Sequence, residues 1–363
     1  MISKSTRRMG LVGGAVLLVG LGVGAFVTNA SATANTAGAI TVPAGFTVST
    51  FATGGSLSDP DDITPLGDDI YVAYQNGVGS QGEPSPTGQT ASTVVEYSGK
   101  GAKVASWNLT GKADGLTADP AAGGLVATVN EDGNSSLYTI TPSASSGSQV
   151  KHYQYSPSKL PHGGGTDSIA VYHGSLYISA SNPSPNADGT TFSGPSLYKV
   201  TLSGSTATAT AAFKDNSTAT SVTNNKAVTL DLSDPDSSEI IPTGAPSFGG
   251  DLLLDSQGDG ELIFLTNPGG AGQIAKLLSL NTQVDDTAVA ASSSGTLYLT
   301  DTSANKIYAV HGPFASGSAF VAVPNDSKPL AGTLGQLDLR TGTVTPFGTG
   351  FNSPHGLLFV PNS

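Results

Sequence analysis

One short pattern recurs along the chain and limits what the chain can fold into. An acidic residue is followed by a short apolar step, a turn that contains glycine, and a strand-like run with an aromatic residue, as in "DDITPLGDDIYVAY" at 61–74. The copies begin at Asp61, Asp114, Asp167, Asp236, Asp286 and His355. The starts lie 53, 53, 69, 50 and 69 residues apart, close to the roughly 40–50 residues of a four-stranded propeller blade.

This spacing predicts an all-β fold, a six-bladed β-propeller that occupies residues 35–363 as a single domain. The longer intervals hold polar, Pro- and Gly-rich stretches at 183–195, 214–226 and 311–333, which we interpret as loops on one face. Almost no chain follows the start at His355, so strands near 38–52 are expected to complete the last blade and close the ring. A β-sandwich is the alternative, but it would not need the same unit six times.

The composition fits many short strands joined by turns. The chain has 47 Gly, 22 Pro and only 12% charged residues, which disfavours long solvated helices. It has no Cys, so disulfides, thiol nucleophiles, cysteine-ligated metals and attached haem are not expected.

Residues 1–34 have the three-part layout of a secretory signal. Lys4, Arg7 and Arg8 precede the apolar run "MGLVGGAVLLVGLGVGAFV", and small residues follow, with cleavage expected after Ala32 or Ala34. We therefore predict a secreted protein without stable membrane insertion after cleavage. An uncleaved anchor is the alternative, and Arg7-Arg8 leaves a twin-arginine signal open beside the ordinary secretory route.

The net charge excludes some partners. It is −12 for the whole chain, and loss of the three basic residues of 1–34 takes it to −15. Such a chain repels nucleic acid and anionic lipid. "GVGSQG" at 77–82 matches a dinucleotide-binding pattern by letters, but the following "EPSPTG" does not open a helix, so no nucleotide is expected.

The repeated acids suggest a ring. If each copy starts on the innermost strand, Asp61, Asp114, Asp167, Asp236 and Asp286 surround one mouth of a central channel. Clustered carboxylates need a cation or hydrogen bonds, and oxygen ligands suit calcium. The alternative is structural, because an Asp before a strand often accepts backbone N–H bonds in a turn.

Two histidines are candidate catalytic residues. His355 starts the last inner strand, and His162 precedes Gly163-Gly164-Gly165 and Asp167, so both are placed near the channel mouth. Together they would offer a proton acceptor close to a carboxylate. The alternative, which the scarcity of supporting motifs favours, is that each is a loop residue that hydrogen-bonds to the backbone.

The stretch "LYLTDTSANKI" at 297–307 resembles an NHL-type propeller repeat, and the chain as a whole resembles the superfamily of gluconolactonases and strictosidine-synthase-like propellers. That resemblance implies a central metal held by Glu, Asn and Asp, for which Asn130 and Asn182 are candidate asparagines, and an extracellular lactonase or esterase activity. One fold hosts many functions, so the resemblance leaves both binding and hydrolysis open for this chain. Three hypotheses follow: a module that binds a small molecule, glycan or protein at the propeller face, a metal-dependent hydrolase, and a structural scaffold.

Overall fold

The computed structural model describes residues 39–362, in which the regular elements are β-strands and one short 3-10 helix at Gln257–Asp259. The predicted signal segment 1–34 lies outside the described residues. Within 39–362, no helix has the length and apolar character that crossing a membrane requires.

The first nine strands form a leading strand and two antiparallel meanders. They are β1 (Thr47–Thr53), β2 (Pro60–Leu66), β3 (Asp69–Tyr74), β4 (Ala91–Tyr97), β5 (Lys103–Thr110), β6 (Ala113–Asp119), β7 (Gly124–Val129), β8 (Ser136–Ile140) and β9 (Val150–Ser156). Strands β2 to β5 form one sheet in chain order, and β6 to β9 pair in the same way.

The next ten strands form two more meanders and an added hairpin. They are β10 (Ile169–Tyr172), β11 (Ser175–Ser179), β12 (Pro195–Ser203), β13 (Thr206–Lys214), β14 (Thr218–Ser221), β15 (Ala227–Thr229), β16 (Pro235–Ile240), β17 (Leu252–Ser256), β18 (Glu261–Thr266) and β19 (Ile274–Ser279). Strand β13 pairs in parallel with β9, which joins β6–β9 and β10–β13 into one eight-stranded sheet. The β14–β15 hairpin extends the β16–β19 meander through β19.

The last seven strands are shared between two sheets. They are β20 (Thr287–Val289), β21 (Gly295–Asp301), β22 (Lys306–His311), β23 (Ala319–Val323), β24 (Thr333–Asp338), β25 (Thr343–Thr349) and β26 (Pro354–Pro361). One sheet has the order β20-β23-β24-β25, and the other has the order β1-β22-β21-β26. The N-terminal β1 and the C-terminal β26 therefore lie at opposite edges of one sheet, which confirms the predicted closure of the ring.

Burial follows the position of each strand in its sheet. We call the strand that pairs with the innermost strand of each sheet its second strand. Second strands such as β7 and β21 are buried along their whole length, whereas the outer strands β5 and β9 alternate between exposed and buried residues. Continuous apolar runs suit strands covered on both faces, and alternation suits strands with one wet face.

Apolar clusters fill the spaces between neighbouring meanders. Tyr71 and Trp107 of the first meander pack with Tyr138 of the second. Tyr298 and Ile307 of the last sheet belong to one cluster with Val72 of the first sheet. Apolar packing therefore continues across the junction between the last and the first sheet, as a closed propeller requires.

The structure corrects three details of the predicted repeat. The copy at 286 is divided, since β20 pairs with β23 while the β21–β22 hairpin joins the sheet of β26. The predicted loop 311–333 contains the fully buried strand β23, and the predicted loop 214–226 contains β14. The meander regions of residues 39–362 form five hydrogen-bonded sheets because β13 bonds to β9, so the blade number of six stays a prediction.

Candidate functional site

The innermost strands β2, β6, β10, β16, β20 and β26 bring the repeated acids together around one cavity. Its volume is about 480 Å³, within the range of small-molecule sites. Among residues 39–362, nine carboxylates and two basic side chains line it. The acids are Asp61, Asp62, Asp114, Glu131, Asp167, Asp236, Glu239, Asp285 and Asp286, and the bases are Lys112 and His355.

Strand pairing defines which residues are equivalent. Ile63 pairs with Val72 on the second strand, and Thr287 pairs with Val321 in the corresponding place. On the other inner strands the residues paired in the same place are Leu116, Ile169, Ser238 and Leu357. Counting two residues back from each paired position gives Asp61, Asp114, Asp167, Asp236, Asp285 and His355, which we call the ring residues.

This register corrects one predicted ring member. The residue equivalent to Asp61 is Asp285, and Asp286 is equivalent to Asp62 instead. Asp62 accepts hydrogen bonds from the N–H of Ile63 at 2.7 Å, and Asp286 accepts one from the N–H of Thr287 at 2.7 Å. Both also bind the N–H of a neighbouring inner strand. Their role in the structure is to tie inner strands together.

A one-residue bulge re-aims several ring residues. Between Pro60 and Ile63 the inner strand advances three residues while its partner advances two. The same shift occurs at the ring position of β6, β16 and β26. A bulge sets two consecutive residues opposite one and redirects a side chain. Asp61 and Asp62, although adjacent, therefore both line the cavity.

Small residues and hydroxyl groups hold the inner strands close together. A Cβ on Gly115 would lie 2.3 Å from the carbonyl oxygen of Asp167, and one on Gly356 would lie 2.4 Å from that of Asp61. The Thr300 hydroxyl donates to the Asp61 carbonyl at 2.6 Å. The ring backbone is thus fixed independently of the ring side chains.

Lys112 neutralises one corner of the cavity. Its ammonium group lies 2.8 Å from Oδ1 of Asp114 and also pairs with Glu131. Gln75 donates to the same Oδ1 at 2.9 Å. The Asp114 side chain is only 3% exposed. Its Oδ2 is buried and has no hydrogen-bond partner among the described residues.

His355 lies next to Asp285 in the ring. Its Nδ1 is 3.0 Å from the Ser353 carbonyl and 2.9 Å from the Thr302 hydroxyl. A carbonyl only accepts, so this contact favours the tautomer with the proton on Nδ1. Nε2 lies 3.7 Å from Oδ1 of Asp285, and that oxygen accepts a hydrogen bond from Gln257 at 3.1 Å.

Burial raises the pKa of several acids of the cavity. Asp167 and Asp236 are hydrogen-bonded through their carboxyl groups, and burial raises the pKa of both well above the usual range. Such a contact requires a shared proton. Burial also raises the pKa of Glu239 to about 7 and that of Asp286 to about 8.

The structure does not place His162 at the cavity. Its Nδ1 lies 2.8 Å from the Tyr198 hydroxyl and its Nε2 lies 2.6 Å from the Gly165 carbonyl. The side chain is 2% exposed, and burial lowers its pKa to about 4. Both ring nitrogens are used inside the fold, so His162 does not face a ligand beside His355.

The residues that sequence reasoning missed are Lys112, Glu131, Asp62, Asp285, Gln75 and Glu239. One signal was available for Lys112, because residues two apart on a strand share a face and Lys112 precedes Asp114 by two. Gln75 and Glu131 lie just beyond the ends of β3 and β7, and their convergence depends on the bulge and the ring closure.

The acids of the cavity do not have the geometry of the predicted calcium site. Among residues 39–362, no group of three or more His, Asp or Glu side chains is placed to hold one metal ion. Asn130 and Asn182 do not line the cavity, and Oδ1 of Asn130 accepts a hydrogen bond from the Lys112 backbone at 3.0 Å. The residues present therefore do not fit the metal centre that the resemblance implies.

A second cavity of about 580 Å³ lies away from the ring. It is lined by residues 50–57 together with Tyr97, Gly101 and Lys103. Lys103 is its only titratable group besides Tyr97 among the described residues. It lacks the convergent polar groups that mark a ligand site.

Comparisons with known proteins give likeness of shape only. No family model matches the sequence, and no curated protein matches it.

Similar solved structures include a protein of unknown function from Bacteroides caccae, at 10% identity and TM-score 0.45, covering 84% of this chain and 87% of that one. A streptogramin B lyase has 12% identity and TM-score 0.41, with 87% and 95% covered. The periplasmic gluconolactonase of Pseudomonas aeruginosa has 13% identity and TM-score 0.41, with 83% and 88% covered. At these scores the likenesses carry no argument about activity, and only the chemistry of the cavity bears on function.

Proposed function

We propose that this protein is a binding module whose central cavity takes a small organic cation, a ligand that carries ammonium or guanidinium groups. The observation that carries the proposal is the excess of nine carboxylates over two basic side chains in one cavity. The buried, unpartnered Oδ2 of Asp114 adds an acceptor at its wall that no described residue satisfies.

The chemistry favours a cation because the acids repel one another. Buried like charges are costly, so the carboxyl groups hold protons when no cation is present. A ligand with positive charge replaces those protons and supplies donors to the free oxygens. Binding should therefore release protons near neutral pH, where Glu239 and Asp286 titrate with pKa values of about 7 and about 8.

Matched ligands test the proposal. We expect 1,4-diaminobutane to bind at low salt and pH 7, and 1,4-butanediol, which has the same length but no charge, not to bind. Isothermal titration calorimetry in two buffers of different ionisation enthalpy measures both the affinity and the released protons. Absence of binding by any amine or guanidine at pH 8 and low salt would contradict the proposal.

Variants locate the site. Asp167→Asn removes one cavity carboxylate and should weaken diamine binding about tenfold, the size of one charge-assisted hydrogen bond. Asp68→Asn is the matched control, because Asp68 is exposed in the turn between β2 and β3. Equal loss in both variants would show that the overall negative charge, and not the cavity, attracts the ligand.

A second candidate is acid–base hydrolysis of a lactone or ester in the same cavity. The hydrogen-bonded carboxyl pair of Asp167 and Asp236 favours it, since one member can donate a proton while the other accepts one. Hydrolysis of a lactone panel, lost in Asp236→Asn while the melting temperature is kept, would support an enzyme. No turnover by the wild-type protein on the panel would favour the binding module.

Export is part of the same proposal and depends on residues 1–34 alone. The basic start, apolar run and small residues near Ala34 support cleavage and secretion. The N-terminal sequence of protein recovered outside the producing cell tests it. A start at Thr33 or Asn35 is expected, whereas retention of Lys4 would indicate an uncleaved anchor.

A further inference from the structure

Lys112 has a position that no other basic residue shares. It lies two residues before the ring residue Asp114, on the same side of the chain. The residues in the equivalent place before the other ring members are Asp59, Gly165, Asp234, Gln283 and Ser353. Among the six inner strands, only β6 is preceded by a lysine at this position.

The ammonium group is enclosed by acids. Its nitrogen lies 2.8 Å from Asp114, pairs with Glu131, and is attracted by the charge of Asp61. The side chain is 17% exposed. The Lys112 backbone N–H is fixed on Oδ1 of Asn130 at 3.0 Å. The Lys112 side chain is therefore fixed by ion pairs inside the cavity and is not a solvated surface lysine.

We infer that Lys112 takes the place of a divalent cation in this cavity, so that the wild-type protein does not bind calcium at the ring. Calcium needs six to eight oxygen ligands at about 2.3–2.6 Å. Asp114 and Glu131 both contact the ammonium group of Lys112, so they are arranged around a lysine and not around a metal ion. We expect them to close on calcium only when Lys112 is replaced by a residue without charge.

The rest of the ring is compensated without a metal. Asp167 and Asp236 share a hydrogen bond. Asp285 accepts a hydrogen bond from Gln257 and faces His355. Asp114, Asp167, Asp236 and Asp285 therefore each have an amide, a lysine, a histidine or another carboxyl group as a partner.

The inference does not depend on the proposed ligand. It concerns the metal alone, and its test uses calcium chloride without any amine. A failure to bind diamines would leave the role of Lys112 intact, and calcium binding by the wild type would leave diamine binding to be judged separately.

The test is calcium-dependent thermal unfolding of the purified protein after chelation. We expect no shift for the wild type. Lys112→Met should melt lower than the wild type in chelator, because Asp114 and Glu131 lose their counterion, and calcium at about 100 times its Kd should then raise its melting temperature by roughly 5 °C. Lys112→Arg keeps the charge and should not respond.

The same thermal unfolding experiment supplies the control variant and the outcomes that would overturn the inference. Lys103→Met removes an exposed lysine on β5 and should behave as the wild type does. A rise of several degrees in the wild type, reversed by chelator, would overturn the inference, as would a folded Lys112→Met that ignores calcium. If Lys112→Met does not fold, Lys112→Gln and direct calorimetry of calcium with the wild type decide the question.

Discussion

The carboxylate of Asp62 on β2 accepts a hydrogen bond from the backbone N–H of Leu116 on β6, across the junction of two sheets, at 2.6 Å. Asp286, the residue before β20, makes the same contact with Leu357 on β26 at 2.7 Å. Since Leu116 and Leu357 lie in buried inner strands, each N–H would lose its partner if the acid were removed. The acid after the ring position is therefore a structural tie wherever the chain has one.

We expect Asp62→Ala to lower the free energy of unfolding by about 2–4 kcal/mol, because two backbone N–H groups lose their acceptor. Asp61→Ala should cost less, since the Asp61 backbone is held through its carbonyl by Thr300. Urea unfolding at pH 5 measures both. Asp68→Ala serves as the exposed control, and equal costs for Asp61 and Asp62 would contradict the distinction.

The sequence predicted the ring but not which acid of an adjacent pair belongs to it. A strand alternates faces, so a shift of one residue exchanges the exposed and buried sets. At Asp285-Asp286 this shift decides which acid is the ring residue and which one ties two inner strands together, and only strand pairing settles it. The bulge at the ring position adds a second change of direction that hydrophobic periodicity does not indicate.

The repeat pattern in the sequence also did not predict that the copy at 286 is divided between two sheets. The run from Thr287 to His311 alternates and turns as a single meander would, yet β21 bonds to β26. Local propensity determines that these residues form strands, whereas the partner of each strand is chosen by packing. Phe314 and Phe320 pack together in the cluster between the last two sheets, and such distant contacts are not encoded in a local repeat.

Stability should fall as the pH rises from about 5 to 8. Burial raises the pKa of Glu239 to about 7 and of Asp215 to about 8. Between the unfolded and folded pKa values the native state holds more protons, so each such group costs up to about 1.4 kcal/mol per pH unit. Glu239→Gln should flatten the profile near pH 6–7, and Asp68→Asn should not. Urea midpoints across this range measure it, and a profile that rises throughout would contradict the assignment.

His162 should oppose this trend at lower pH. Its folded pKa of about 4 lies below the ordinary value of 6.5 because the ring is buried. The unfolded chain then binds the proton first, so stability from this residue is complete above pH 6.5 and is lost toward pH 4, roughly 3 kcal/mol in all. A nuclear magnetic resonance titration should show His162 neutral at pH 5. Titration near pH 6.5 would show that its contacts with Tyr198 and Gly165 do not persist in solution.

Asp255 on β17 stands where other second strands carry a hydroxyl. Thr300 and Ser179 occupy the equivalent place on β21 and β11, and each donates to the carbonyl of a ring residue on the neighbouring inner strand. Asp255 is fully buried, and no described residue donates to its carboxyl oxygens. Burial raises its pKa well above the usual range. By equivalence with Thr300 and Ser179, we expect the carboxyl group to keep its proton and to donate it to the carbonyl of Asp285, the ring residue of the neighbouring inner strand.

Three substitutions at Asp255 separate donation from packing. Asp255→Thr and Asp255→Asn each keep a donor, and the neighbouring acids Asp236, Asp285, Asp286 and Asp234 no longer oppose a titrating group. Both variants should therefore unfold at higher urea than the wild type above pH 8. Asp255→Val has the shape of threonine without the donor and should lose about 1–3 kcal/mol against Asp255→Thr at every pH, since the carbonyl is left unsatisfied. Equal stability of the valine and threonine variants would show that the buried carboxyl group fills space and donates nothing.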